Sequence, residues 1–112
     1  MDHLFWTQLD TIILKSELVI DRPKGSRHPR ISSVIYPLDY GYLSNTCGGD
    51  GNEVDVWRGS LPDVLLDAVI CTTDLGKRET EVKLLIGCSA EEKQTVCGFH
   101  KTNGMGVVLI AR

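Results

Sequence analysis

Apolar side chains at the start of the chain recur at a spacing close to that of an α-helix. Phe5, Leu9 and Ile12 lie three to four positions apart, which is typical of a helix with one buried face. Asp2 is a suitable N-cap, since its carboxylate can accept a hydrogen bond from a free backbone amide. We therefore predict an N-terminal helix over residues 1–15 that packs on the outside of a flatter structure.

The segments that follow are short apolar runs, and several alternate between apolar and polar positions. A period of two is the pattern of a β-strand. The predicted strands are, in order, ELVIDR, SVIY, EVDVWRG, LLDAVICTT, TEVKLLIG and GVVLIAR. Between the last two, Ser89 and Glu92 have the spacing of a capping box, which predicts a second helix that ends near Phe99.

These elements predict a mainly β, α+β fold. Six short strands at such close intervals favour a small closed antiparallel β-barrel, because a parallel sheet would need a helix at each crossover. A length of 112 residues suits one domain. We assign residues 1–15 to the N-terminal helix, 16–88 to the barrel and candidate site, and 89–112 to the C-terminal helix and strand.

Charge and cysteine content narrow the functional class. Twelve basic and fifteen acidic residues give a net charge of −3, which argues against a nucleic-acid partner, because that role needs a basic surplus. The four cysteines contain no Cys-x-x-Cys pair, so they do not indicate a zinc site. The chain begins without a basic leader, and its apolar runs are too short to span a bilayer. We expect a cytoplasmic protein with no membrane partner.

One acidic segment has the composition of a metal site. Asp50, Asn52, Glu53 and Asp55 place several oxygen ligands within six residues, and oxygen ligands select a hard ion such as Mg²⁺ or Mn²⁺. The alternative is a solvated hairpin, because Asp-Gly is a favoured turn. This segment alone does not decide between the two interpretations.

A second acidic segment adds a lysine. Asp74 lies at a predicted turn, and Glu81 and Lys83 are two residues apart, hence on one face of a strand. An exposed ion pair of this kind is common and contributes little stability. In the functional alternative, the acid holds a metal and the ammonium holds an anion that the metal also binds.

A basic loop and three tyrosines complete the candidate chemistry. The basic residues of RPKGSRHPR suit a polyanion, since arginine can grip phosphate oxygens with two parallel hydrogen bonds, although a solvated loop is the more common case. The three tyrosines Tyr36, Tyr40 and Tyr42 share one strand parity, so at least two should project together. Gly41 would let another group approach the backbone closely.

These segments, in this order, resemble the soluble family I inorganic pyrophosphatases. The matching segments are VIDRPKGSRHPR, YPLDYGY, DGNEVDVW and TTDLGKRETEVKLL, within residues 18–86. Six of the seven positions of the family's acidic signature match residues 50–56, and Asn52 is the exception. The resemblance implies a five-stranded closed barrel of the OB type with helices against it. It also implies Mg²⁺ as cofactor and the hydrolysis of diphosphate to two phosphates.

The resemblance implies roles for individual residues. Those matching metal ligands are Asp50, Asp55, Asp74 and Glu81. Those matching substrate-binding positions are Lys24, Arg30, Lys83 and Lys101, where Arg30 fits either of two family positions. Tyr40 and Asn52 match catalytic positions of the family, and Glu53, which shares a strand face with Asp55, is a further catalytic candidate. Asp21 stands where the family has a glutamate, and His100 lies beside Lys101 where the family has a Tyr-Lys pair.

Asn52 stands where the family has the aspartate that takes a proton from the attacking water. An amide accepts a hydrogen bond but does not take up the proton, so we expect a slowed enzyme in which Glu53 partly substitutes. Two alternatives stay open: a non-catalytic module that binds metal and phosphate, and a hydrolase of another phosphoanhydride. The apolar N-terminal helix and the resemblance also lead us to expect a homo-oligomer.

Overall fold

The computed structural model describes residues 2–112, which form two helices and six strands. In chain order the elements are α1 (His3–Leu14), β1 (Leu18–Arg22), β2 (Asp39–Leu43), β3 (Val54–Arg58), β4 (Leu66–Asp74), β5 (Glu79–Ile86), α2 (Ala90–Thr102) and β6 (Gly106–Ala111). Neither helix in this part of the chain is long and apolar enough to cross a membrane.

The six strands form one open, mixed sheet in the order β1-β2-β3-β5-β4-β6. β3 and β5 run parallel, with Val56 opposite Leu84, and every other neighbouring pair is antiparallel. β1 and β6 each have a single neighbour, so hydrogen bonds do not close the sheet. The predicted closed antiparallel barrel of the OB type is therefore wrong. The sheet is mixed because β4 does not pair with β3, and β5 fills the space between them.

The predicted strand SVIY is also wrong. Around it, only Arg27 and Ile35 form an isolated bridge, and the chain turns back through Gly25 and Tyr36, whose backbone groups bond at 2.8 Å. Prolines nearby restrict the backbone and remove donors, which disfavours a regular ladder. The sixth strand is instead β2, within the YPLDYGYL segment.

Both predicted helix starts are confirmed. The Asp2 carboxylate accepts a hydrogen bond from the Leu4 amide at 2.9 Å. Ser89 and Glu92 form the full capping box, with bonds of 3.1 and 2.9 Å between each side chain and the other residue's amide. α2 runs one turn past Phe99, to Thr102.

The sheet buries apolar side chains on both faces, with one helix over each. The core under α1 comprises Trp6, Leu43, Val56, Leu66, Val69, Leu84 and Ile86. The core under α2 comprises Tyr36, Leu38, Trp57, Ala68, Ile70, Leu85, Cys88, Val96 and Cys97. Because neighbouring strand residues point to opposite faces, a strand buried on both sides is apolar at successive positions, as in the LLI run of β5. Polar residues replace apolar ones toward the start of β5, and there the candidate site lies.

Candidate functional site

Lys83 is the centre of a polar cluster on the α2 face of the sheet. Its Nζ donates hydrogen bonds to Tyr40 Oη, Asp55 Oδ2 and Glu81 Oε2, each at 2.8 Å. The Lys83 side chain is only 6% exposed, against 29% for Asp55 and 21% for Glu81. We call these four residues the Lys83 cluster. Its ammonium is buried, whereas its carboxylates reach the surface.

Strand register brings these side chains together. Since Val56 lies opposite Leu84 in the parallel β3–β5 pair, the preceding residues Asp55 and Lys83 are also neighbours and share a face. Glu81 lies two residues before Lys83 on the same strand, hence on the same face. The tyrosine comes from β2, which pairs with β3 on the other side.

Burial and charge act in opposite directions on these groups. Burial alone would lower the pKa of Lys83, but the oxygens of Tyr40, Asp55 and Glu81 favour the ammonium and raise that pKa above its ordinary value. Burial raises the pKa of Asp55 and of the Tyr40 phenol, and Lys83 opposes both changes. The Lys83 ammonium therefore lies between two acidic side chains, Asp55 and Glu81, which share one surface-facing side of the cluster.

Aromatic rings pack against the Tyr40 side of the Lys83 cluster. The Tyr40 ring lies 4.6 Å from that of Trp57, and Trp57 Nε1 donates to His100 Nε2 at 3.1 Å. Burial lowers the pKa of His100 to about 4, with the positive charge of Lys83 contributing, so the imidazole is neutral. The ring centroid of Tyr36 lies 5.5 Å from that of Tyr40. The Tyr36 hydroxyl accepts a hydrogen bond from the Arg22 guanidinium.

The supporting role of Trp57 and Arg22 was missed by sequence reasoning. Trp57 follows Asp55 at strand spacing, and this spacing is the one signal that could have placed its ring beside the site. Arg22 is one of several cations of the predicted basic loop, and nothing in the local sequence shows that it reaches Tyr36.

The acidic loop before β3 stays at the surface. Asp50 accepts hydrogen bonds from the Asn52 backbone amide at 3.0 Å and from its side-chain amide at 3.4 Å, and these bonds lower the pKa of Asp50. Glu53 is exposed. Asp55 alone of the four acidic-segment residues enters the Lys83 cluster.

Asp74 ends β4 on the same face as Glu81. Thr72 is opposite Glu81 in the β4–β5 register, and Asp74 is two residues further along. Its Oδ1 accepts a hydrogen bond from the Lys77 amide at 3.2 Å. Asp74 therefore stabilises its own turn and does not bond to Lys83.

None of the other predicted substrate-binding residues hydrogen-bonds to a member of the Lys83 cluster. Lys24 lines a small cavity of about 90 Å³ and its amide bonds to Asp39 at 2.8 Å. Arg30 is exposed in the basic loop, where its amide donates to the His28 ring at 3.1 Å. Lys101 is exposed in the last turn of α2. Asp21 is exposed on β1.

The side-chain oxygens of the Lys83 cluster are of the type that binds a hard cation. Asp55 and Glu81 offer carboxylate oxygens, the ligands that Mg²⁺ prefers. Within residues 2–112, however, no three His, Cys, Asp or Glu side chains converge as a metal-ligand group. The side chains of Asp50 and Asp74 bond within their own turns, so the two cluster carboxylates are the ligands that the fold brings together.

Comparison with known proteins supports the fold. No protein-family model matches the chain, and no curated protein gives a significant match. A solved structure, an inorganic phosphatase from Anaplasma phagocytophilum, is similar with a TM-score of 0.58 and 18% sequence identity, covering 84% of this chain and 81% of that chain. At this identity the likeness establishes a shared fold.

Proposed function

We propose that the protein is a Mg²⁺-dependent hydrolase of a phosphoanhydride, with diphosphate as the first candidate substrate. The observation that carries the proposal is the Lys83 cluster, a buried ammonium held by two carboxylates and a phenol. The Lys83 cluster lies in a fold similar to that of an inorganic phosphatase, which supports the proposal of a phosphoanhydride hydrolase.

The cluster has the parts that hydrolysis of diphosphate needs. Lys83 Nζ can exchange a carboxylate contact for a phosphate oxygen, and charge-assisted bonds of this kind are strong. Tyr40 Oη orients the ammonium from the protein side. Asp55 and Glu81 would hold Mg²⁺, which when bound supplies water activation and stabilises negative charge on phosphate oxygens. One water molecule cleaves the P–O–P bond, and two phosphates leave.

Asn52 sets the expected rate. The family resemblance implies that an aspartate at this position takes the proton of the attacking water, which the amide of Asn52 does not do. General-base assistance is typically worth about 10²- to 10⁴-fold, so we propose a slow enzyme. Glu53 is an exposed carboxylate beside Asn52 and is the nearest replacement in sequence.

Phosphate release from diphosphate in the presence of Mg²⁺ tests this function. Asp55→Ala should lower the rate by about 10²- to 10³-fold, the size of loss seen when one preorganised group that stabilises transition-state charge is removed. Asp67→Ala is the matched control, because this carboxylate pairs with Lys93 elsewhere on the surface. Equal rates for wild type and Asp55→Ala would exclude the proposed site.

A second candidate is a module that binds metal and diphosphate without turnover. Asn52 favours it, because its amide bonds to Asp50 and leaves the loop without the expected base. Titration calorimetry with Mg²⁺ and diphosphate separates the two functions. Binding without any phosphate release supports the module, and measurable turnover excludes it. Nucleotides and polyphosphate assayed in parallel would identify a different phosphoanhydride as substrate.

A further inference from the structure

The two edges of the sheet differ in how they are protected against pairing with another strand. β1 has an irregular register between Ile20 and Arg22, carries the charged residues Asp21 and Arg22, and is followed by Pro23. Bulges, charges and prolines at an edge are the features that prevent a further strand from adding. β1 is therefore an edge strand that is protected against pairing with a further strand.

β6 has none of these features. Gly106–Ala111 reads GVVLIA, without charge or proline, and its register with β4 is unbroken. Val108 is 60% exposed. An uncharged and apolar edge of six residues with an unbroken register favours the addition of a strand.

The backbone of β6 has a free row of hydrogen-bonding groups. The Arg112 amide donates to the Asp67 carbonyl at 2.8 Å, which continues the β4–β6 ladder. Since hydrogen-bonded pairs recur at every second residue of an antiparallel ladder, the N–H and C=O groups of Val107, Leu109 and Ala111 point away from β4. Nothing in the described chain bonds to them, because β6 has only β4 as neighbour.

We propose that β6 pairs antiparallel with β6 of a second copy of this chain, about a two-fold axis at Val108. A two-fold axis between the two edges keeps the same face of both sheets on one side. A residue whose side chain points to that face must therefore lie opposite a residue that points to the same face in the second copy. With Val108 on the axis, Val107 of each copy exchanges hydrogen bonds with Leu109 of the other. The exposed Val108 side chains then meet in a non-hydrogen-bonded pair, where side chains are closest.

The partner is a second copy because this edge is complementary to itself. β6 carries no charged residue that would repel β6 of the second copy. The two-fold axis also places the outward-pointing N–H groups of each copy opposite outward-pointing C=O groups of the other. Such an interface is isologous and closes on itself. Because β1 is closed to pairing, association stops at a dimer with a continuous twelve-stranded sheet.

Size-exclusion chromatography with light scattering tests the dimer and its axis. The wild type should have the mass of a dimer, and Val108→Lys and Val108→Glu should each be monomers, because like charges would face each other. An equimolar mixture of the two variants should recover the dimer mass, since Lys then faces Glu. Val82→Lys is the matched control on the same face of the inner strand β5, where Val82 is 48% exposed, and it should remain a dimer.

A monomeric wild type would overturn the proposal, and so would a Val108→Lys variant that dimerises as the wild type does. A Lys/Glu mixture that remains monomeric would overturn the placement of the axis at Val108. None of these measurements depends on hydrolysis, so the dimer and the proposed function are tested separately.

Discussion

At the scale of single residues, Lys83 connects three strands through one ammonium group. It bonds to Tyr40 on β2, Asp55 on β3 and Glu81 on its own strand. A buried charge is costly unless it is paired, so these contacts hold the cluster in one geometry. The Glu81-x-Lys83 spacing predicted part of this arrangement. The contact between Lys83 and Asp55 depends on a parallel strand pair that local spacing cannot show.

Asn52→Asp should raise the rate of diphosphate hydrolysis by up to about 10²- to 10⁴-fold, the usual contribution of a general base. Asn45→Asp is a matched control, since Asn45 is an exposed asparagine of the preceding turn with a φ of 57° that aspartate also tolerates. The measurement is kcat with saturating Mg²⁺. An unchanged kcat in Asn52→Asp would contradict the role assigned to this position.

Acidification should destabilise the protein through His100. The unfolded imidazole takes up a proton near pKa 6.5, whereas burial lowers the pKa of the folded form to about 4. The stability contributed by neutral His100 is fully present above about pH 6.5 and is lost as the pH falls through about 4. The loss is about 3 kcal/mol.

Urea unfolding at several pH values between 7 and 4 measures this effect. His100→Gln removes the titrating group and should flatten the dependence of the unfolding free energy on pH over this range. His3→Gln, an exposed control at the start of α1, should keep the wild-type slope. Identical slopes for wild type and His100→Gln would contradict the explanation.

At the scale of elements, local chemistry predicted what is local. The helix caps at Asp2 and Ser89 and most strands are where the apolar pattern indicated. The segment SVIY has strand composition, but a turn-rich loop contains it. Strand order was not predictable either, because the position of β5 between β3 and β4 is set by contacts between residues far apart in the chain.

Gly41, next to Tyr40 in the chain, shows how a neighbouring strand constrains one residue. The glycine was expected to admit a close group, and the structure identifies that group as the β1 backbone: a Cβ at Gly41 would overlap the Val19 carbonyl. Gly41→Ala should therefore lower the free energy of unfolding by about 1–3 kcal/mol. Gly49→Ala, where a Cβ has open space, is the control. Equal urea midpoints for the two variants would refute this account.

At the scale of the whole molecule, the open sheet places the Lys83 cluster near one surface and an unprotected edge at β6. The predicted barrel would have had no free edge. The similarity to an inorganic phosphatase covers most of both chains, and the cluster lies where strands β2, β3 and β5 meet. Both the site and the edge thus follow from strand order, which the sequence pattern did not reveal.

A ³¹P NMR time course of diphosphate with the wild-type protein and Mg²⁺ tests whether the protein hydrolyses a phosphoanhydride. We expect orthophosphate to replace the diphosphate signal, with two phosphates formed per diphosphate, and chelation of the metal to stop the conversion. We also expect a faster time course for Asn52→Asp. A diphosphate signal that stays constant with both proteins would contradict the assignment of a phosphoanhydride hydrolase.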